Sequence, residues 1–358
     1  MKLNTRRKHL KILVDAYVEK NLGDDLFLKI LFDRYPSQVE WFVTCDSEDE
    51  LKAFETYTNV KGFNKKIHKY KDFDGVINIG GSIFMQSGNW WIRQLFNRLT
   101  YAIPMKLRNK PLFIIGCNYG PSTNKLMDRL NHLFMKLFVT DISFRDKESY
   151  NMFGDIKQAR YNPDIVYGLD TAKFTNIERN NNKFGICIMS FSDKKINNDF
   201  INKVVEITKE LCEENYEVEF YSFCEKQNDL DTYNKIQEIL GESYKNKISH
   251  YMYEGNLTEY LTKFNSLSYI ITLRFHSLIL AQIFKMKYYP IVYSKKTSNV
   301  LHDQDYKGKY TKIENVQTLN VENIISEVKQ NNHSLNSTIK NEATNHFAEI
   351  DKFLRKLN

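Results

Sequence analysis

Residues 184–191 read FGICIMSF, residues 199–215 read DFINKVVEITKELCEEN, and residues 217–223 read EVEFYSF. The first and last are short apolar runs of strand length, and the middle one repeats its apolar residues with the period of a helix. A strand, a crossover helix and a second strand make the βαβ unit of a parallel sheet. Because the same alternation runs through most of the chain, the sequence predicts an α/β fold.

One polar stretch, TNIERNNN at residues 175–182, interrupts the alternation and is interpreted as a linker. The strand-like runs before it are 11–17, 40–45, 75–81, 111–121, 140–146 and 163–169. The pattern then restarts at residue 184 and predicts two Rossmann-like domains that face each other across a cleft. The predicted ranges are residues 1–174, residues 183–330 and a C-terminal helix at residues 331–358.

The chain has 358 residues, of which 42% are hydrophobic and 27% are charged, as expected for a soluble protein of two domains. It contains no apolar run near the ~18 residues of a membrane-spanning helix. The N-terminal apolar run ends at Asp15 after three residues, which indicates a strand rather than a signal peptide. We therefore expect a cytoplasmic protein.

The net charge of +7 is modest and favours an anionic small molecule or a membrane surface over nucleic acid. The five cysteines form no CxxC motif, so we expect reduced and mostly buried thiols. The eight histidines form no HExxH motif, and three Asp-x-Asp triplets, at 72–74, 229–231 and 303–305, are interpreted as chance. The sequence predicts no metal site and no bound cofactor.

Open α/β sheets bind ligands beyond the carboxyl ends of their strands, and polar residues are concentrated there. The candidates in the first half of the chain are Asn21, Gly23, Asp24, Gly80, Gly81, Ser82 and Asn118. Asp24 or Asp25 is also the helix cap that a βα loop needs, and paired glycines are a weak phosphate signal. A structural interpretation therefore accounts for each of these motifs taken singly.

Arg145 and Arg274 each end a predicted strand, where a guanidinium can grip a carboxylate or phosphate or can pair with a neighbouring acid such as Asp146. His276 follows Arg274 at the start of a predicted helix and is interpreted either as structural or as an acid/base group. Lys296 ends the next strand and is either a phosphate ligand or a surface lysine.

The predicted helix at residues 90–108 carries Trp91, Leu95, Leu99 and Ile103 among basic residues. Such a helix can rest on an anionic membrane surface. It can also be the outer layer of a domain, with its apolar side turned toward the sheet.

Together these motifs resemble the polysaccharide pyruvyl transferase family. The matching pieces occur in order from about residue 10 to about residue 300: NLGDD, INIGGSIF, GCNYGP, SFRDKES, NPDIVYGL and LRFHSLILAQ, with Tyr293 and Lys296. The most specific piece is an Arg-x-His, then a helix, then a strand that ends in Tyr-x-x-Lys.

The resemblance implies a GT-B-like fold with phosphoenolpyruvate as the donor and no cofactor. It implies a sugar diol as the acceptor, in a cell-surface polysaccharide or its lipid-linked precursor, and a pyruvate ketal as the product. On the donor side it implies His276 as acid/base, with Arg145, Arg274, Lys296 and Ser277 around phosphoenolpyruvate. The first-domain candidates would form the acceptor side, and a lipid-linked acceptor would bring the protein to the inner face of the membrane.

Two other functions remain open. A GT-B glycosyltransferase shares the fold but binds a nucleotide sugar, and a non-catalytic scaffold for polysaccharide assembly binds neither donor. Fold alone does not decide among them.

Overall fold

The computed structural model describes residues 10–35, 39–86, 90–174, 177–331 and 333–356, and these divide into two compact units. Among these residues, unit 1 comprises 10–18, 27–165 and 341–356, and unit 2 comprises 19–26 and 166–340. The units depart from the predicted ranges at 19–26 and 166–174, which lie in unit 2, and at 341–356, which lies in unit 1.

Unit 1 is built on a seven-stranded parallel sheet. Its strands are β1 (Leu10–Asp15), β2 (Val39–Thr44), β3 (Val60–Phe63), β4 (Gly75–Ile79), β5 (Leu112–Cys117), β6 (Asp141–Phe144) and β7 (Ala159–Tyr161). They lie in the order β3-β2-β1-β4-β5-β6-β7, so the order reverses between β1 and β4. The central strands β4 and β5 are buried along their whole length, which explains their almost unbroken apolar sequence.

Unit 2 repeats the arrangement with six parallel strands. They are β8 (Asn180–Cys187), β9 (Glu217–Ser222), β10 (Ile248–Met252), β11 (Leu267–Thr272), β12 (Lys287–Val292) and β13 (Thr311–Lys312). Their order is β10-β9-β8-β11-β12-β13, with the reversal between β8 and β11. Counted from the first strand of each unit, both sheets have the doubly wound Rossmann order, which confirms the predicted fold class.

Helices connect the strands of both units. They are α1 (Leu22–Arg34), α2 (Trp90–Leu107), α3 (Lys125–Phe138), α4 (Lys147–Phe153), α5 (Lys194–Glu213), α6 (Asp229–Leu240), α7 (Leu257–Asn265), α8 (Phe275–Ile283), α9 (Lys295–Asp303), α10 (Val321–Gln330), α11 (Ile339–Thr344) and α12 (Ala348–Arg355). Across the residues described, none of them combines the length and apolarity needed to cross a bilayer. All five cysteines are unpaired, and four of them are buried.

The prediction of a strand at residues 163–169 is wrong. The structure has a single 3-10 turn there, Ile165–Gly168, and the edge of the sheet is formed by β7 instead. The apolar run reflects burial, since Ile165, Val166 and Leu169 are almost fully inaccessible to solvent. A short apolar run predicts burial more securely than it predicts a strand.

The predicted linker at residues 175–182 overlaps the start of β8. That strand begins at Asn180, and its first three residues are exposed asparagines, which is why they read as a polar stretch. Thr175 and Asn176 lie outside the described residues.

The last helices, α11 and α12, pack on unit 1. Arg34 grips the carboxylate of Asp351 with Nε and Nη2, at 3.1 and 2.6 Å, and the hydroxyl of Tyr35 donates to the same group. Between the two helices His346 is fully buried, with Nε2 2.8 Å from the carbonyl oxygen of Pro163. Burial lowers the pKa of His346 to about 3, so this imidazole is neutral in the folded protein.

Candidate functional site

Two of the predicted site residues, Arg274 and His276, lie at the point where the strand order of the second sheet reverses. β8 and β11 are neighbours there, and a ligand of an open α/β sheet binds beyond their carboxyl ends. Arg274 follows β11 directly, and His276 lies in the first turn of α8. The sequence prediction therefore placed both residues at the correct edge of the sheet.

Gly23 lies against the ring of His276. A Cβ atom on Gly23 would stand 1.8 Å from Nδ1 of the imidazole, so only glycine allows this approach. The backbone N–H of Leu22 donates to the carbonyl of Phe223 at 3.1 Å, and Oδ1 of Asn21 accepts from the N–H of Gly23 at 3.0 Å. These bonds hold the first turn of α1 at the site.

Asp25, also in the first turn of α1, is a candidate that the sequence prediction treated only as a helix cap. Its side chain is fully buried, and its Oδ2 accepts a 2.6 Å hydrogen bond from the hydroxyl of Tyr253. Its Oδ1 has no hydrogen-bond partner among the described residues. Burial raises the pKa of Asp25 to about 7, so the carboxyl can hold or release a proton near neutral pH.

Arg274 is buried in an ion pair with Asp229, the first residue of α6. Its Nη2 donates to Oδ1 of Asp229 and its Nη1 donates to Gln227. The other oxygen of Asp229 accepts from the backbone of Phe223 at 2.9 Å. Arg274 thus ties the loop after β9 to the start of α8, and gripping a ligand with both terminal nitrogens would require these bonds to exchange.

Lys296 lies close to the same helix start. Its Nζ is 5.9 Å from the ring centroid of Phe275 and 5.7 Å from that of Tyr293, and the rings of Phe275 and His276 meet edge to face at 5.0 Å. A lysine in the first turn of α9 faces the positive end of that helix dipole. An anion bound there would offset this repulsion.

Ser277 is fully buried, and its hydroxyl donates to the carbonyl of Arg274 at 2.6 Å. This contact closes the first turn of α8. Its predicted role in donor binding stays a prediction.

A second cluster lies at the carboxyl edge of the first sheet and centres on Arg145. The guanidinium is 3% exposed and donates from Nη1 to Asp164 at 3.0 Å and from Nη2 to Oδ1 of Asn118 at 2.6 Å. Asp146, which the sequence offered as one possible acid partner, caps α4 by accepting a hydrogen bond from the N–H of Ser149. Arg145 therefore joins the ends of β5 and β6 to the loop before residue 165.

The glycine loop after β4 packs on this arginine. A Cβ atom on Gly81 would lie 2.5 Å from Nη1 of Arg145, and the carbonyl of Gly81 accepts from the N–H of Asn118 at 2.7 Å. Gly80 is buried and Ser82 is half-buried beside it. The predicted residues Gly80, Gly81, Ser82 and Asn118 thus form one cluster in unit 1.

Three of the first-domain candidates that were predicted to form the acceptor side have a different position. Asn21, Gly23 and Asp24 belong to unit 2, and Gly23 contacts His276 there. The roles assigned to all these residues stay predictions. Within the described part of the chain, no group of three His, Cys, Asp or Glu side chains is arranged to hold a metal ion.

Solved structures confirm the fold. The UDP-GlcNAc 2-epimerase of Methanocaldococcus jannaschii matches 98% of this chain with 100% of its own, at a TM-score of 0.61 and 11% identity. Anabaena HepE in complex with UDP-glucose matches 97% of this chain with 99% of its own, at a TM-score of 0.59 and 12% identity. S. aureus MnaA with UDP matches 96% of this chain with 97% of its own, at a TM-score of 0.58 and 11% identity. At these identities the likeness shows the fold alone.

Comparison with curated proteins gives no match. The family model of the polysaccharide pyruvyl transferases, in contrast, matches residues 21–295, which is more than half of the chain. The match begins at the Asn21 loop, takes in both clusters and ends one residue before Lys296. The chain belongs to the polysaccharide pyruvyl transferase family.

Proposed function

We propose that this protein transfers the enolpyruvyl group of phosphoenolpyruvate to two hydroxyls of a sugar and forms a pyruvate ketal. The acceptor is a cell-surface polysaccharide or its lipid-linked precursor, which would bring a cytoplasmic enzyme to the inner face of the membrane. The observation that carries the proposal is that Nζ of Lys296 and the ring of His276 lie 5.9 and 5.0 Å from the ring centre of Phe275, at the carboxyl edge of the second sheet. The family match supports a transferase of this kind.

The reaction needs two protons to move and one phosphate to leave. The methylene carbon of phosphoenolpyruvate gains a proton, and the first sugar hydroxyl adds to the neighbouring carbon and loses its own proton. Phosphate then leaves, and the second hydroxyl closes the ketal. One of the two diol protons ends on the new methyl group and the other on phosphate, so no oxidant, metal or cofactor enters the balance.

His276 is proposed to move these protons. It lies in the first turn of a helix, and its ring is held on one side by Gly23. A fixed imidazole suits general acid/base catalysis, which typically contributes a factor of about 10²–10⁴ in rate. Lys296 is proposed to bind the phosphate, because the first turn of α9 adds backbone N–H groups to its positive charge.

Arg274 is proposed as a positioning residue, because its terminal nitrogens are already bonded to Asp229 and Gln227. It fixes the first turn of α8, and hence His276, relative to the loop after β9. A direct grip on phosphoenolpyruvate by Arg274 or Arg145 remains a separate prediction, since both guanidinium groups are bonded to buried acids.

Thermal unfolding with phosphoenolpyruvate, UDP and UDP-sugars in parallel tests the donor. A ligand that binds only the folded state raises the melting temperature with its concentration. We expect a shift with phosphoenolpyruvate that is lost in Lys296→Gln and kept in Lys285→Gln, a charge change beyond the other end of α8. A shift with UDP compounds alone would overturn the proposal in favour of a nucleotide-sugar enzyme.

Turnover tests the proton transfer. Phosphate release from phosphoenolpyruvate in the presence of an acceptor should fall at least about a hundredfold in His276→Gln. The melting temperature and the phosphoenolpyruvate shift of the variant should stay close to those of the parent. Full activity in a folded His276→Gln protein would remove His276 from the mechanism.

A further inference from the structure

Two neighbouring helices of unit 1 carry an unusual share of exposed apolar side chains. In the described part of the chain, fourteen large hydrophobic side chains are exposed, and seven of them lie on α2 and α3. They are Ile92, Phe96, Ile103, Leu107, Leu126, Leu133 and Leu137. Single exposed apolar residues are normal on a protein surface, but a concentration of this kind marks an interaction surface.

The four residues of α2 form one stripe. Their spacings of four, seven and four residues place Ile92, Phe96, Ile103 and Leu107 within about 60° of one another at 100° per residue. Phe96 is 64% exposed and Leu107 is 80% exposed.

The apolar face predicted for this helix from the sequence, with Leu95, Leu99 and Ile103, does not coincide with the exposed stripe. Leu95 and Leu99 pack against the core of unit 1, whereas Ile103 belongs to the exposed stripe. The side chain of Trp91 lies outside the described part of the structure. The helix is therefore apolar on its core face and again on part of its outer face, and packing in unit 1 explains only the first.

The three exposed leucines of α3 form a second stripe. Spacings of seven and four residues place Leu126, Leu133 and Leu137 within about 40° of one another. The core side of α3 is occupied by other residues, including the buried Phe134 and Met135. α3 packs against α2 in unit 1, and we call the exposed stripes of the two helices together the α2–α3 surface.

The exposed charges that α2 and α3 themselves carry are all basic. Exposed basic residues flank the stripes, and they are Arg93, Lys106, Lys125, Arg129 and Lys136. α2 contains no acidic residue. The single acid of α3, Asp128, is half-buried and accepts hydrogen bonds from Ser122 and Tyr119 at 2.7 and 2.8 Å.

We propose that the α2–α3 surface docks on an anionic lipid bilayer, with both helices lying in the plane of the interface. Apolar residues enter the acyl boundary and flanking lysines and arginines meet anionic headgroups, which is how interfacial helices bind. A second copy of the chain fits less well, because a two-fold contact would set the same basic flanks against each other. The proposal concerns the membrane location, and its test does not depend on the reaction catalysed.

Sedimentation of the full chain with lipid vesicles tests the docking. Vesicles of phosphatidylcholine alone are compared with vesicles that contain about three parts in ten of phosphatidylglycerol. We expect binding to the anionic vesicles only, weakened by salt. The pairs Phe96→Ser/Leu107→Ser and Arg93→Glu/Lys106→Glu should each weaken binding at least about tenfold.

Matched controls come from α6 in unit 2. Ile239 and Lys235 are also exposed, and Ile239→Ser and Lys235→Glu should leave vesicle binding unchanged. Equal loss in the controls, or full binding by both α2 pairs, would overturn the proposal. Sedimentation equilibrium without lipid gives the other contrary outcome: a dimer that dissociates in Phe96→Ser/Leu107→Ser would assign the surface to a second copy.

Discussion

Gly23 and His276, which are far apart in the sequence, are in direct contact: the backbone of the glycine lies where any side chain would overlap the imidazole. The glycine lies in the first turn of α1, and the histidine lies in the first turn of α8. The position of one helix start therefore depends on the size of a residue in the other. This coupling can be measured directly.

Alanine at position 23 should be harmful only while the imidazole is present. In the parent protein, Gly23→Ala forces the ring or the first turn to move, and overpacking of this kind costs about 1–3 kcal/mol. In a His276→Ala background the same change should be neutral or should stabilise by up to about 1 kcal/mol, because alanine is the better helix former. Urea unfolding of the four proteins gives the coupling energy, and additivity within about 0.5 kcal/mol would show that the two residues are independent.

The buried carboxyl of Asp25 should make unit 2 less stable as the pH rises. Its pKa in the folded protein is about 7, well above that of an exposed carboxyl, so the folded state keeps a proton that the unfolded state has lost. Stability is then lost between about pH 4 and pH 7, with a slope of at most about 1.4 kcal/mol per pH unit. Asp25→Asn should remove this slope in urea unfolding followed across that range.

Two neighbours of Asp25 provide the controls. The hydrogen bond from Tyr253 lowers the pKa of Asp25 and the charge of Asp24 raises it. Tyr253→Phe should therefore extend the loss of stability to higher pH, and Asp24→Asn should end it at lower pH. A slope that Asp25→Asn leaves in place must come from another group.

Sequence reasoning identified the sheet edges but not the contacts made there. The strands were visible because parallel strands buried on both faces read as apolar runs, and the loops after them were visible as glycines and charged residues. The short edge strands β3 and β7 are partly exposed and gave no such signal. A run of buried apolar residues at 163–169 was for the same reason mistaken for a strand.

The partners of the site residues lie far away along the chain. The Asp229 that pairs with Arg274 belongs to a DLD triplet that looked like chance, and Tyr253, which bonds to Asp25, has no motif around it. The sequence offered its neighbour Asp146 as one possible partner of Arg145, and the fold brings Asp164, nineteen residues away, to the guanidinium. Local patterns predict which residues reach a sheet edge, and only tertiary packing decides which of them meet.

Removing Arg145 alone should severely destabilise unit 1. Arg145→Met removes the guanidinium that pairs with the buried carboxylate of Asp164, and breaking a buried pair in this way costs about 3–5 kcal/mol. Arg145→Met/Asp164→Leu removes both charges and should recover most of that loss. Urea unfolding of the two variants measures the difference in their free energies of unfolding. Equal values would show that the loss of stability in Arg145→Met does not come from the broken ion pair.

The double variant also separates two roles of Arg145. If the guanidinium only joins the strand ends, the folded Arg145→Met/Asp164→Leu protein should still show the thermal shift with phosphoenolpyruvate. If Arg145 grips the donor, the shift should be lost although the fold is restored. Binding in the double variant thus decides between a structural and a ligand-binding arginine.

His346 should give unit 1 a pH dependence of the opposite sign to that of Asp25. Burial keeps the imidazole neutral, with a pKa of about 3, whereas an exposed histidine titrates near 6.5. The unfolded chain therefore binds a proton that the folded protein excludes, and stability present above about pH 6.5 is lost as the pH falls toward 3. His346→Gln, which can still donate to the carbonyl of Pro163, should abolish this loss in urea unfolding. If the two units unfold together, the opposite slope of Asp25 over much of the same range should make the profile of the parent flatter than that of either single variant. A steep profile in the parent that neither variant alters would contradict both assignments.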